Sequence, residues 1–179
     1  MTLQALVLPL LMLLFGPPSA PTWPKAPDPG GLELMTASPA GTWSWPVTGP
    51  VIQGFDPPTS PFGAGHRGVD IAVPFGTTIL APEAGTVSFA GRVGGELFVS
   101  LDHGGGLAST YSWLSSAVVG KGDLVAVGQP IGATATGHPG SSVPHLHLGV
   151  RLDGAYMDPL GYLAPLGVQD LIRLVPLIS

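Results

Sequence analysis

Residues 65–91 read "GHRGVDIAVPFGTTILAPEAGTVSFAG". Short β-branched and apolar runs alternate here with Pro and Gly: "GVDIAV" (68–73), "TTIL" (77–80) and "TVSFA" (86–90) are separated by "PFG" and "APEAG". Runs of this length bounded by turn residues are the pattern of strands joined by sharp turns. The same punctuation extends outward, to "GPVIQGF" (49–55) on one side and to "ELFVSLDHG" (96–104), "LASTYSWL" (107–114), "DLVAVGQPIGATA" (123–135) and "HLHLGVRLDG" (145–154) on the other. No window of a dozen residues in this stretch keeps a helical period without a Gly or Pro break. The expected fold is therefore all-β, a meandering antiparallel sheet or partly open barrel. The exception is "PLGVQDLIRLVPLI" (165–178), where Leu166, Leu171 and Leu174 mark a possible short C-terminal helix.

The ends differ in composition. Residues 1–20 contain an apolar run from Leu3 to Phe15, the length of a signal-peptide core rather than a membrane span. The run precedes the small pair Ser19 and Ala20, but no Lys or Arg stands before Lys25. The segment is read as a signal peptide or N-terminal anchor, with a short apolar helix packed on the domain as the alternative, and it places the protein outside the cytoplasm, extracellular or associated with the cell wall. Residues 21–41 are rich in Pro, Gly and Ala and read as a linker. The folded domain is expected over 42–165, followed by a tail at 166–179.

Composition excludes several classes of function. Only 9% of the 179 residues are charged and the net charge is −5, which leaves no basic stripe to track a phosphate backbone, so nucleic acid is not an expected partner. The chain has no cysteine, so a metal would have to be held by His, Asp or Glu. A sugar-cleaving pair of carboxylates is disfavoured because the only Glu residues, at 33, 83 and 96, have no second carboxylate nearby in sequence.

Two motifs carry chemistry. In "HRGVD", His66 and Asp70 are four residues apart; on an extended segment positions i and i+4 face one side, and Gly65 and Gly68 let the backbone bend close to the point where they meet. In "PHLHLGV", His145 and His147 share one strand face while Leu146 and Leu148 take the other. Adding His147 to His66 and Asp70 gives two imidazoles and one carboxylate, ligand types that catalytic zinc sites use while leaving a position open for water. His145 would then sit near that water rather than on the metal.

Together "GHRGVDIAVPFGTTILAPEAGTVSFAG", "VSLDHGGGLASTYSWL", "KGDLVAVGQPIG" and "PHLHLGV" resemble, in the same order, the β-sheet core domain of the LytM/lysostaphin-type zinc metallopeptidases over about residues 45–150. The resemblance implies one zinc ion held by His66, Asp70 and His147, with His145 acting on the water or the transition state. It implies cleavage of peptide bonds in bacterial cell-wall peptidoglycan, and an alternative in which the same fold serves as a non-catalytic peptidoglycan-binding or hydrolase-activating module. One departure stands out: where the family has a histidine in a "Y-x-H-L" segment, this chain has "YSWL", with Trp113 in its place. An indole offers one N–H donor and no proton exchange, so reduced turnover is expected, with Tyr111 and His103 as possible compensating groups. Alternatively, Tyr111 and Trp113 alternate and pack one sheet face. His103 falls at an expected hairpin turn and reads as structural. His138, in the loop before the HxH strand, is a candidate for lining a substrate groove. Arg67 is expected to point away from the ligands.

Overall fold

The computed structural model describes residues 41–60 and 63–165. Ten strands are formed among them: β1 (Val51–Gln53), β2 (Val69–Ala72), β3 (Thr78–Leu80), β4 (Gly85–Val93), β5 (Glu96–Asp102), β6 (Leu107–Ala117), β7 (Leu124–Val125), β8 (Pro130–Thr134), β9 (His145–Leu152) and β10 (Ala155–Met157). Every pairing between them is antiparallel. The main path runs β1-β2-β9-β6-β5-β4-β7, with β8 added to β6 and β3, and β10 to β9. The described helical structure is one 3-10 turn at Pro159–Gly161, capped by the Asp158 carboxylate on the Leu160 N–H. The all-β antiparallel reading holds. The apolar segment 1–20, the linker and the C-terminal tail fall outside the described residues, apart from Gly41. No helix among the described residues is long and apolar enough to cross a membrane.

Alternation builds the core. Val69 and Ile71 of β2, Leu146, Leu148 and Val150 of β9, and Val99 and Leu101 of β5 are all completely buried. The described segment is closed at its two ends by Trp43, whose N–H donates to the Tyr162 carbonyl at 2.9 Å while its own carbonyl accepts from the Ala164 N–H at 2.8 Å.

The feature that positions the site is a change of partner along β6. Residues 107–112 pair with β9, ending on Ser112 opposite His147, and from Leu114 onward the strand pairs with β8 instead. Trp113 lies at the switch with φ 55°, in the left-handed region that a bulky residue rarely enters. Across the sheet, Leu97 pairs with Leu114 and Val99 with Tyr111, so β6 carries one extra residue there. This is a β-bulge, and bulges bend a strand and re-aim its side chains. The alternation of Tyr111 with Trp113 fails for this reason: Tyr111 goes fully into the core, whereas Trp113 turns towards the gap where β8 and β9 part.

Candidate metal centre

His66 is fixed before β2 begins. Its backbone pairs with Asp56, N–H to carbonyl in both directions at 2.9 and 2.7 Å, and its ring Nδ1 lies 2.7 Å from the Gly54 carbonyl. A carbonyl can only accept, so the Nδ1 carries the proton and Nε2 faces inward. Two residues on, a Cβ at Gly68 would overlap the Leu148 carbonyl and come within 2.8 Å of His147 Nε2. The glycine is what allows this turn to lie against β9.

Asp70 of β2 stands directly opposite His147 of β9 in the ladder, and Ala72 opposite His145. The carboxylate, with 1% of the residue exposed, is the centre of the site. Its Oδ1 lies 3.1 Å from His66 Nε2 and 2.8 Å from His147 Nδ1, and these two nitrogens are themselves 3.1 Å apart. Its Oδ2 faces a second pair, His138 Nε2 at 3.0 Å and His145 Nε2 at 3.7 Å. His145 commits Nδ1 to the Val143 carbonyl at 2.8 Å, so in its neutral form this ring, like His66, turns a lone pair towards the buried carboxylate. The two nitrogens of His138 face the Pro139 carbonyl at 3.2 Å and Asp70 Oδ2 at 3.0 Å, and its one N–H in the neutral form can go to either.

Burial alone would raise the Asp70 carboxyl. The hydrogen bond and charge of His147, with His66 and His138 behind it, outweigh burial and bring it down to about 2. Burial pushes the His147 imidazole below its usual value, and Asp70 only partly offsets this. A neutral imidazole and an ionised carboxylate are the forms in which these groups ligate a metal. The three atoms His66 Nε2, Asp70 Oδ1 and His147 Nδ1 form a triangle with sides of 2.8 to 3.1 Å. Ligands about 2.0–2.1 Å from a tetrahedral zinc are separated by about 3.3 Å, so the triangle fits such an ion with a small expansion. An ion there would also separate acceptor atoms that otherwise face one another.

The triangle opens into a cleft of about 330 Å³. His66 and His147 line it, with His138, Trp113, Ser112 and Arg67 around them. The Trp113 ring stands edge-on to His147 with centroids 5.4 Å apart and lies 5.3 Å from His138. His145 is completely buried and packs against His138 with ring centroids 4.7 Å apart, so the ring exposed to the cleft on that side is His138. A Cβ at Gly137, whose φ is +88°, would overlap the His145 ring. Arg67 does not leave the site: it is half-buried, lines the cleft and donates to the Gly63 carbonyl at 3.2 Å.

Neither proposed compensating group reaches the cleft. His103 gives Nδ1–H to the Ala84 carbonyl at 2.8 Å, its Nε2 meets the Ser109 hydroxyl at 2.8 Å, and Ser109 meets the Tyr111 hydroxyl at 2.9 Å. That chain is buried on the core side, and the structural reading of His103 stands. Sequence reasoning placed His138 in a groove but gave no link to Asp70, because the loop that carries it has no period from which to read a direction.

The model of peptidase family M23 matches residues 64–159, more than half of the chain and all of the site. The chain belongs to peptidase family M23. An uncharacterized protein of Mycobacterium tuberculosis is 39% identical to this M23 chain over 158 residues, covering 82% of the chain and 61% of that protein. The murein hydrolase activator NlpD of Escherichia coli is 34% identical over 131 residues, covering 72% of the chain and 33% of NlpD. Among solved structures, a zinc containing peptidase from Vibrio cholerae matches with a TM-score of 0.59 and 27% identity, over 69% of this chain and 41% of that one. The antimicrobial peptidase lysostaphin from Staphylococcus simulans matches with a TM-score of 0.59 and 28% identity, over 70% of this chain and 55% of that one. The chain thus spans less than two thirds of the length of these relatives, from 33% to 61%.

Proposed function

We propose that this M23 chain is a zinc-dependent endopeptidase that hydrolyses peptide bonds in bacterial cell-wall peptidoglycan, exported and acting at the envelope. The observation that carries the reading is the convergence of His66 Nε2, Asp70 Oδ1 and His147 Nδ1 at the floor of an open cleft. Relatives named as peptidases, murein hydrolase activators and lipoproteins support the substrate and an envelope location, and the apolar run from Leu3 to Phe15 is the segment that would attach the chain to a membrane.

His66, Asp70 and His147 would hold the ion. Bound zinc supplies a Lewis acid for the scissile carbonyl and lowers the pKa of water towards neutrality. The protein's own residues do the rest. The Gly54 carbonyl locks the His66 tautomer so that its free nitrogen faces the ion, the arrangement by which outer partners orient metal-binding histidines. Val143 does the same for His145, whose Nε2 lone pair is thereby directed to the Asp70 side of the site as a proton acceptor. Trp113 and Ser112 form one wall of the cleft beside the ligands. The indole N–H is the one donor Trp113 can give, and loss of one donor to a developing oxyanion slows other hydrolases by about 100- to 1000-fold, so turnover is expected to be slow.

A second reading has its own support: relatives 32% and 34% identical are named murein hydrolase activators, and Trp113 stands where the resembling peptidases have a histidine. In that reading the cleft binds peptidoglycan without cutting it. Digestion of purified peptidoglycan separates the two. Release of new amino termini that requires zinc, stops with chelator and is lost in His145→Ala supports the endopeptidase. Zinc and peptidoglycan binding with no release in the wild type rejects it in favour of the module.

A further inference from the structure

The chain contains six Lys and Arg residues in all and is acidic overall, yet two of its guanidinium groups gather at one end of the metal cleft. Arg67 follows ligand His66, and Arg151 lies on β9 four residues after His147, on the same strand face. Gly149 stands between His147 and Arg151 on that face, and its missing side chain leaves the floor open; a Cβ there would press on the Arg67 carbonyl at 3.2 Å. Four residues of strand cover about 13 Å, the span of a short extended peptide.

Tyr156 of β10 is the cross-strand partner of Arg151. Its ring centroid lies 5.4 Å from the Arg151 guanidinium carbon and 5.8 Å from that of Arg67, within range of cation–π attraction. Among the described residues no ion pair is formed by Arg151. Two like charges are thus drawn to one aromatic ring beside an open groove. Thr110 and Ser112 line the groove's polar wall between the ring and the ligands.

We infer that Arg151, with Arg67 and held by Tyr156, forms a subsite for a free carboxylate on the peptide substrate, a few residues from the bond at the metal. The inference rests on the reading of this cleft as a peptide site, and it names a specificity: anionic peptides over their amidated counterparts. A guanidinium suits the role because it can take both oxygens of a carboxylate at once. The six-residue set of His66, His147, Ser112, Arg67, Arg151 and Tyr156 makes the cleft bipolar, with its metal ligands at one end and its positive charge at the other.

The test uses the zinc-loaded full chain and two probes, a peptidoglycan tetrapeptide with its carboxyls free and the same peptide with them converted to carboxamides. Binding is measured by calorimetry and cleavage by release of amino termini. The wild type is expected to bind the free-acid peptide about tenfold more tightly, as a charge-assisted contact provides, with the preference shrinking as salt is raised. Arg151→Gln and Tyr156→Leu should bring the ratio towards one, and Arg151→Lys should keep part of it. Equal binding of the two peptides by the wild type, a preference that survives Arg151→Gln, or no binding of either peptide would each overturn the subsite. Binding with preference but without cleavage leaves the subsite standing and counts against the endopeptidase reading alone.

Discussion

His103 and His66 are both almost completely buried, and both give an Nδ1 proton to a backbone carbonyl, of Ala84 at 2.8 Å and of Gly54 at 2.7 Å. They differ in what the other nitrogen meets. The Nε2 of His103 accepts from Ser109, which in turn can accept from Tyr111, so one assignment of protons satisfies the whole buried chain. The Nε2 of His66, an acceptor in this tautomer, meets the Asp70 carboxylate, which when ionised can only accept. A buried polar chain whose donors and acceptors match is a structural device. One that sets a lone pair against a carboxylate is suited to a cation. Burial and residue type do not distinguish the two histidines; the partner of the second nitrogen does.

The largest effect is expected at the ligands. His147→Ala should weaken zinc binding by more than about 100-fold, beyond what the loss of an outer partner costs, as read by competition with a chromogenic chelator. A variant that holds zinc as the wild type does would break the contrast with His103. Next, His145→Ala should retain zinc and slow hydrolysis of peptidoglycan by about 100- to 10,000-fold, the usual contribution of a positioned acid or base. If His138→Ala produces that loss and His145→Ala does not, the proton-handling role moves to the ring that faces the cleft.

On the structural side, His103→Phe should leave zinc stoichiometry at the wild-type value and destabilise the domain by about 2–3 kcal/mol, because the Ala84 carbonyl and the Ser109 hydroxyl lose their partner. Urea unfolding of the metal-free protein measures this. The smallest effect concerns pH. Burial lowers the His103 pKa from 6.5, with the Ala84 contact and nearby Glu83 and Asp102 opposing it. Below about pH 6.5 the unfolded state then binds the proton more readily than the folded state, so stability falls as pH drops below that value. His147 acts in the same direction. Asp70 does not contribute in that window: its carboxyl is depressed to about 2, so its stabilisation is present above about pH 4 and is lost only as pH falls towards 2. Urea midpoints of the metal-free protein at pH 7.5 and 5.5 should therefore differ, and His103→Phe should narrow the difference. Equal midpoints in the wild type would contradict the burial of neutral histidines.

Much of the fold was legible because it depends on local rules. Pro and Gly at 74–76 and 81–85 separate β2, β3 and β4 as turn chemistry requires, and the two-residue period of "HLHL" separates a histidine face from a leucine face. Other parts were not legible. Nothing in "STYSWL" marks the bulge that sends Tyr111 and Trp113 to different places, because a bulge is defined against the neighbouring strands β5, β8 and β9. Strand alternation puts Arg67 outside the site, but the residue precedes β2, in a segment whose path is set by the Asp56 pairing and by Gly68 against β9.

Local patterns along the chain are enough for an antiparallel β fold and for two motifs, one supplying a histidine and a carboxylate and the other a histidine pair, since strand period and turn residues act within a few positions. That Asp70 pairs with His147, that its second oxygen faces His138 and His145, and that Arg151 and Arg67 meet at Tyr156 follows once the strands are assembled. These contacts join residues tens of positions apart, and their geometry follows from strand register and from the change of partner along β6, which no local pattern encodes.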